Sequence, residues 1–290
     1  MSYVLVTGAT GTLGRALVPL LREANLRVRI LSRECAPTGC EPGTWVRGSL
    51  STGENLDDAV RNVNTIVHLA TAPRGHDAIL TRALVDAARR GPRMTAPLPH
   101  LIYQSIVGVD TIPLGYYRQK LAAEQGIEAS GLPFTILRAT QFHDLVYSLF
   151  AAQRRMPVAL APDIRLQPID VRDVAAQLLG LVRAGAAGRV ADIGGPDIEL
   201  ASDLARATLS SFRRPGPHAA VGSRRPIVSL RLPGATFAAF AAGQNLVPGN
   251  RIGTFSYPDY LMARAAAARQ LAEEEAAAAA DDNPSSRESG

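Results

Sequence analysis

The sequence predicts an α/β fold: a doubly wound parallel sheet with a small C-terminal substrate-capping region. Three observations predict it. Short apolar, β-rich runs alternate with helical patterns from residue 3 to about residue 138, the pattern of parallel βαβ units. The first run leads through a glycine-rich turn, TGATGTLG, into the first helical pattern. The chain has 290 residues, 47% of them hydrophobic and 20% charged, enough to bury a sizeable core.

The elements follow in order. YVLVT, residues 3–7, reads as the first strand, and Leu13, Leu17, Leu20 and Leu21 recur at helix spacing up to about Ala24. RVRILS, residues 27–32, alternates as a second strand, and GTWVRG, residues 43–48, supplies a third. ENLDDAVRNV is helical and TIVHLA, residues 65–70, is a buried strand. DAILTRALVDAARR is a helix, HLIYQS at 100–105 a strand, YYRQKLAAEQGIEASG a helix closing at Gly131, and PFTILR at 133–138 the sixth strand. After about residue 155 the regularity loosens. IDVRDVAAQLLGLVRA is a helix with Asp170 as N-cap and Asp173 three residues on, an acidic capping box. RVADIGG is a strand ending in glycines, ELASDLARATLSSF is a helix, and residues 213–226 form a Pro/Gly/Arg-rich loop. The organisation expected is a core over residues 1–155, remaining sheet elements and a capping region over 156–264, and a tail over 265–290. That tail is helical and then, for its last ten residues, disordered by composition.

Net charge is +5, and the arginines are scattered in doublets without a block of like charge, so no nucleic-acid partner is expected. Cys35 and Cys40 lie five apart in a loop with no second pair and no nearby histidine. No metal site is expected, and the two read as incidental thiols. MSYVLVTGAT enters a strand pattern without a basic, then apolar leader, and no apolar run approaches membrane-spanning length. The expectation is a cytoplasmic protein with a small-molecule substrate, no membrane association and a possible homo-oligomeric state.

Gly8, Gly11 and Gly14 give the spacing G-x-x-G-x-x-G between a strand and a helix. Glycines there let the backbone approach a pyrophosphate, which the N–H groups at the helix start bind. The cradle predicted for a dinucleotide is therefore Gly8, Thr10, Gly11, Thr12, Leu13 and Gly14. The second strand ends in Ser32 and Arg33, a hydroxyl and a guanidinium without a carboxylate between them. Such a pair suits the 2′-phosphate of NADP(H) rather than the free 2′-hydroxyl of NAD(H).

Lys120, in GYYRQKLAAE, is the only lysine; the other basic residues counted among 31 Lys plus Arg are arginines. Tyr116 lies four residues before it, on the same helix face, whereas Tyr117 points elsewhere. Ser105 closes the preceding strand. The trio suits hydride transfer to or from a carbonyl. A cation held near a phenol lowers its pKa from about 10, the ammonium can hold the nicotinamide ribose, and the serine can hold the carbonyl oxygen. The lysine is expected at a partly exposed helix position.

TGATGTLG, YQSIVGVD, YYRQKLAAE, LPFTILRATQF and LQPIDVRDVA together resemble the short-chain dehydrogenase/reductase superfamily and, within it, the atypical NmrA-like NAD(P)-binding branch. The resemblance covers roughly residues 3–200. It implies a Rossmann fold, a dinucleotide along the strand C-termini and catalytic roles for Ser105, Tyr116 and Lys120, with Lys120 also touching the cofactor. It also implies that HLAT, residues 68–71, runs beside the cofactor, so that Ala70 and Thr71 contact it. The chain departs from the family at Ser49, where an acidic residue is usual, and in the ten residues between Ser105 and Tyr116, a short interval for active members. The branch contains both enzymes and non-catalytic redox sensors. The function expected is NADP(H)-dependent oxidation or reduction of a small, largely apolar carbonyl or quinone-like compound. The alternatives are a redox regulator, or an epimerase or dehydratase.

Gln141 and His143 follow the sixth strand where a substrate pocket would open. His143 reads either as a substrate contact or as a structural residue at a helix start. His68, late in a strand, reads as a core histidine. LPGATFAAFAAGQNLVPG reads as a packing segment or a pocket wall.

Overall fold

A computed structural model describes residues 3–72, 75–91, 97–212 and 226–281. The first half alternates as expected: β1 Tyr3–Thr7, α1 Thr12–Glu23, β2 Val28–Ser32, β3 Trp45–Arg47, α2 Leu56–Val60, β4 Val63–His68, α3 Asp77–Arg90, β5 His100–Ile106, α4 Gly115–Glu128 and β6 Phe134–Ala139. The second half continues with α5 His143–Ala151, β7 Ala159–Pro162, β8 Arg165–Leu166, α6 Val171–Ala184, β9 Gly188–Arg189, β10 Glu199–Leu200, α7 Ala201–Ser210, β11 Ile227–Leu230, α8 Ala235–Ala241 and α9 Tyr257–Asp281.

Seven strands form one sheet in the order β3-β2-β1-β4-β5-β6-β9, with every pair parallel. Alternation along β1 sends Val4 and Val6 to one face and Leu5 to the other. Val4 and Val6 pack with Leu13, Leu17 and Leu21 of α1 and Val174 and Leu178 of α6. Leu5 packs with Leu84 of α3 and Ala123 and Ile127 of α4. The sheet is thus covered on both sides, which is why its strands read as continuous apolar runs. Strand order reverses between β2-β1 and β4, and the crevice at that switch point is where such sheets bind ligands.

The differences from the sequence expectation have local causes. The helix expected over ENLDDAVRNV is only the five residues of α2, because Asn55 and Asn62 at its ends take left-handed backbone angles and interrupt the ladder. Asp170 caps α6 by accepting from the Arg172 N–H, but the capping box is not closed. The Asp173 carboxylate instead accepts from Thr254 N, Thr254 Oγ1 and Phe255 N, tying α6 to the segment before α9. The strand expected over RVADIGG is the two-residue β9.

Two small two-stranded sheets, β10-β8 and β11-β7, lie outside the main sheet. Together with α5, α7 and α9 they enclose a second core around Phe150, Leu204, Tyr257 and Leu261. The 213–226 loop lies almost wholly outside the described residues, as does the terminal stretch expected to be disordered. α8 packs Ala239 and Phe240 on Val109, Ile112 and Tyr117, so LPGATFAAFAAGQNLVPG is a packing segment against the β5–α4 connection. Among the described residues no helix is long and apolar enough to cross a membrane.

Candidate active site

The three glycines do three different things. Gly8 has φ +73, and a Cβ there would lie 2.7 Å from Ala70 N, so the glycine lets the first turn cross the β4 exit. A Cβ on Gly14 would meet the Gly8 carbonyl and lie 2.5 Å from Ala9 Cα, so Gly14 lets α1 pack onto its own turn. Gly11 is exposed, and a Cβ there would meet only the Gly8 carbonyl oxygen at 3.2 Å. Its outer side is open to an approaching ligand. α1 begins here without a side-chain cap and without an acidic residue in its first turn, so its leading N–H groups and its dipole are available to an anion. Leu13 is buried and can serve a ligand only through its backbone, whereas Thr10 is half-buried and Thr12 exposed. These residues fit a dinucleotide pyrophosphate.

At the end of β2, Ser32 is buried and its hydroxyl accepts from Glu34 N at 3.1 Å. Arg33 is exposed. The register places Arg47, also exposed, directly beside Ser32. Sequence reasoning missed Arg47, because only strand pairing brings it to this edge. Ser49 engages Ser51 across 2.9 Å.

The structure brings Tyr116, Lys120, Thr71 and Ser105 to the C-terminal ends of β4 and β5. Lys120 is 5% exposed, which corrects the expected partly exposed position: α4 turns this side chain inward over the sheet. Its Nζ lies 3.4 Å from Asp77 Oδ2, donates to the Gln104 carbonyl at 3.3 Å and stands 4.8 Å from the centre of the Tyr103 ring. Burial pushes its pKa down, and the Asp77 carboxylate opposes that shift. Asp77, itself 1% exposed, also accepts from Ala72 N at 2.6 Å and from Thr71 Oγ1 at 2.9 and 3.1 Å. The Thr71 hydroxyl then meets the Tyr116 phenol at 2.8 Å.

The expected lowering of the Tyr116 pKa by the lysine is not found in this state. The phenol is pushed up to about 12, first by burial, with the Thr71 hydrogen bond lowering it and the Asp77 charge raising it. The physical reason is that burial disfavours the phenolate, and the Asp77 carboxylate adds to that effect. Asp77 was missed by sequence reasoning. Its one signal, a carboxylate opening the helix in GHDAIL, is indistinguishable from ordinary dipole complementation.

Ser105 is buried, and its hydroxyl has no hydrogen-bond partner among the described residues. A buried hydroxyl left unpaired costs free energy, which marks a place for a ligand oxygen. Gln141 is buried with neither amide atom completing a hydrogen bond among the described residues, and the Tyr117 hydroxyl lies close enough to feel it. Tyr117 faces away from Lys120, packing edge-on to Phe240 at 6.4 Å.

His143 is placed elsewhere. Its ring lies 5.4 Å from both Tyr257 and Tyr260, and Nε2 is 3.1 Å from the Phe255 carbonyl. That geometry packs α5 on α9 and favours the structural alternative. His68 is a core histidine, held between Thr7 and Thr81 hydroxyls at 2.7 and 3.0 Å, and burial pushes its pKa down to about 3.

The sequence pattern of the family described as NAD(P)H-binding matches residues 8–183. The chain is 31% identical over 204 residues to the (4-alkanoyl-5-oxo-2,5-dihydrofuran-3-yl)methyl phosphate reductase of Streptomyces griseus, covering 67% of this chain and 68% of that protein. It is 26% identical over 226 residues to the NAD(P)H azoreductase of Xenophilus azovorans, covering 75% and 77%. Its fold matches an NADPH-dependent quinone oxidoreductase of Escherichia coli solved with NADPH, with a TM-score of 0.71 and 17% identity over 89% of this chain and 98% of that one. With a glycine cradle at the switch point of a parallel sheet and a match running through α6, the chain belongs to the NAD(P)H-binding family.

Proposed function

We propose that the protein is an NADP(H)-dependent oxidoreductase that transfers a hydride to or from a small, largely apolar carbonyl or quinone-like compound. One observation carries this reading: the unpaired Ser105 hydroxyl, the Tyr116 phenol and the Lys120 ammonium converge at the strand ends beside the glycine cradle. The relatives whose names describe reductases support the same class of reaction.

A nicotinamide dinucleotide, when bound, supplies or accepts the hydride. Ser105 donates its hydroxyl proton as a hydrogen bond to the substrate oxygen, satisfying a group that is otherwise unpaired. Tyr116 gives that oxygen its proton in the reductive direction and takes it back in the oxidative one. Lys120 commits two of its donor directions to Asp77 and the Gln104 carbonyl. An ammonium has three donors, so one remains for a ribose hydroxyl. The exposed Arg33, with Arg47 beside Ser32, favours a 2′-phosphate and hence NADP(H). Gln141 contacts the substrate.

The test is steady-state consumption of NADPH by the purified protein with a panel of quinones and aldehydes. Sustained turnover that falls in Tyr116→Phe supports the enzyme. Tight NADPH binding without turnover on any of them would leave a non-catalytic redox sensor as the better account.

A further inference from the structure

We propose that Asp77 and Thr71 are positioning residues that link Lys120 to Tyr116, Asp77 anchoring the ammonium and aiming the Thr71 hydroxyl, and Thr71 holding the phenol proton until the substrate claims it. The hydrogens decide the direction of the chain. The Asp77 carboxylate only accepts, and Thr71 Oγ1 lies 2.9 and 3.1 Å from its two oxygens. The single hydroxyl proton of Thr71 therefore points at Asp77. The 2.8 Å contact between Thr71 and Tyr116 must then be the phenol donating to Thr71.

In this arrangement the phenol proton is parked on Thr71, and a lone pair of the phenol oxygen faces away from it. When the phenol O–H bond breaks and its proton passes to a substrate oxygen, the phenolate needs a donor. A rotation of the Thr71 hydroxyl supplies one, while Asp77 keeps Ala72 N–H and Lys120 as partners. No atom or electron is left over, and the proton lost from Tyr116 is the one gained by the product.

The charged groups around the phenol are few. From α3 comes Asp77, and from α4 come Lys120 and the neutral Tyr117. From β5 comes Tyr103, whose ionisation burial opposes. Behind them His68 is neutral at ordinary pH, burial having pushed its pKa down to about 3, and Glu124 is committed to Arg138. The Asp77 charge is thus the anionic influence on Tyr116, and Thr71 is its local acceptor.

The catalytic meaning of this pair rests on the oxidoreductase reading, but its test does not require turnover. Tyrosine labelled with carbon-13 at Cζ reports ionisation, and the Tyr116 resonance is the one missing from Tyr116→Phe. Circular dichroism at each pH confirms the native fold. Asp77→Asn should lower the Tyr116 titration by about one pH unit or more. Loss of the carboxylate favours the phenolate whether Lys120 stays charged or gives up its proton. Lys120, the only lysine and so a single signal in lysine-labelled protein, should also titrate lower in Asp77→Asn.

Thr71→Val should do the opposite, holding the phenol protonated at the alkaline end where the wild type begins to ionise, and Thr71→Ser should follow the wild type. These opposite signs are not what a merely structural loss produces. A folded Asp77→Asn with Tyr116 titrating as in wild type overturns the proposal. Should that variant not fold, a Thr71→Val that titrates like the wild type overturns it instead. The predicted shifts in a protein that turns over nothing would reject the oxidoreductase reading and leave the linkage standing.

Discussion

The Arg138 guanidinium on β6 grips the Glu124 carboxylate on α4 at two points, Nε to Oε1 at 2.9 Å and Nη2 to Oε2 at 2.6 Å, with both side chains 3% exposed. A third contact, Nη1 to Asp110 at 2.8 Å, completes the fork. Glu124 lies one helical turn beyond Lys120, so this pair sets the height at which α4 presents Lys120 and Tyr116 to the strand ends.

Glu124→Ala should therefore destabilise the protein by about 3–5 kcal/mol, because it leaves a guanidinium buried with only Asp110. The paired change Glu124→Leu with Arg138→Met should cost far less, since it removes both charges. Urea unfolding of the two variants measures the contrast, and equal losses would show that the ion pair is not what matters.

The glycines separate folding from binding. Gly11→Val should remain folded and lose NADPH affinity, because its new side chain enters the open side of the cradle. Gly14→Val should fail to fold natively, because its Cβ has no space against Ala9. Circular dichroism with calorimetric titration of NADPH distinguishes them. A Gly11 variant with undiminished affinity would reduce the loop to a turn.

Arg33→Ala should weaken NADPH binding about tenfold or more, the worth of a lost charged hydrogen bond at about 1.5–3 kcal/mol, and leave NADH binding unchanged. The pair of dissociation constants for wild type and variant decides it. An unchanged preference would reject the phosphate assignment. A loss seen only when Arg47 is also removed would divide the phosphate between the two strand edges.

Lys120→Arg should reduce turnover by about 100-fold or more, the scale of lost acid–base assistance. A planar guanidinium cannot reproduce the ammonium's separate contacts to Asp77 and the Gln104 carbonyl. Because the position is buried, some loss of thermal stability should accompany it. Tyr116→Phe should lose comparable turnover, while Tyr117→Phe, which keeps its packing on Phe240, should lose little. Retention of activity in Lys120→Arg would end the mechanistic role of the lysine.

His68 makes stability depend on pH in a stated direction. Its pKa falls from 6.5 unfolded to about 3 folded, so between those values the unfolded chain binds the extra proton. Stability is then lost as pH drops from about 6.5 toward 3, by up to about 1.4 kcal/mol for each pH unit. Denaturant unfolding at successive pH values should show a shallower loss for His68→Gln than for wild type. His100 and His143, also held low by burial, remain in both proteins and cancel.

The sequence by itself determined the alternating order of the first six strands, the glycine-rich turn between β1 and α1 and the placing of Tyr116 and Lys120 one turn apart on a single helix. Each is a local or periodic property: apolar period, turn chemistry, or one helical turn between two side chains. Only the tertiary structure decided what neutralises Lys120, which way the phenol donates and where His143 goes. Asp77 meets Lys120 across more than forty residues because α3 and α4 pack on the same face of the sheet, and Arg47 reaches Ser32 only through the register of β3 on β2. Sequence spacing carries the positions of side chains along one element. It carries neither the burial that shifts a pKa nor the partner that a neighbouring element brings, since both arise when separate elements close on one another.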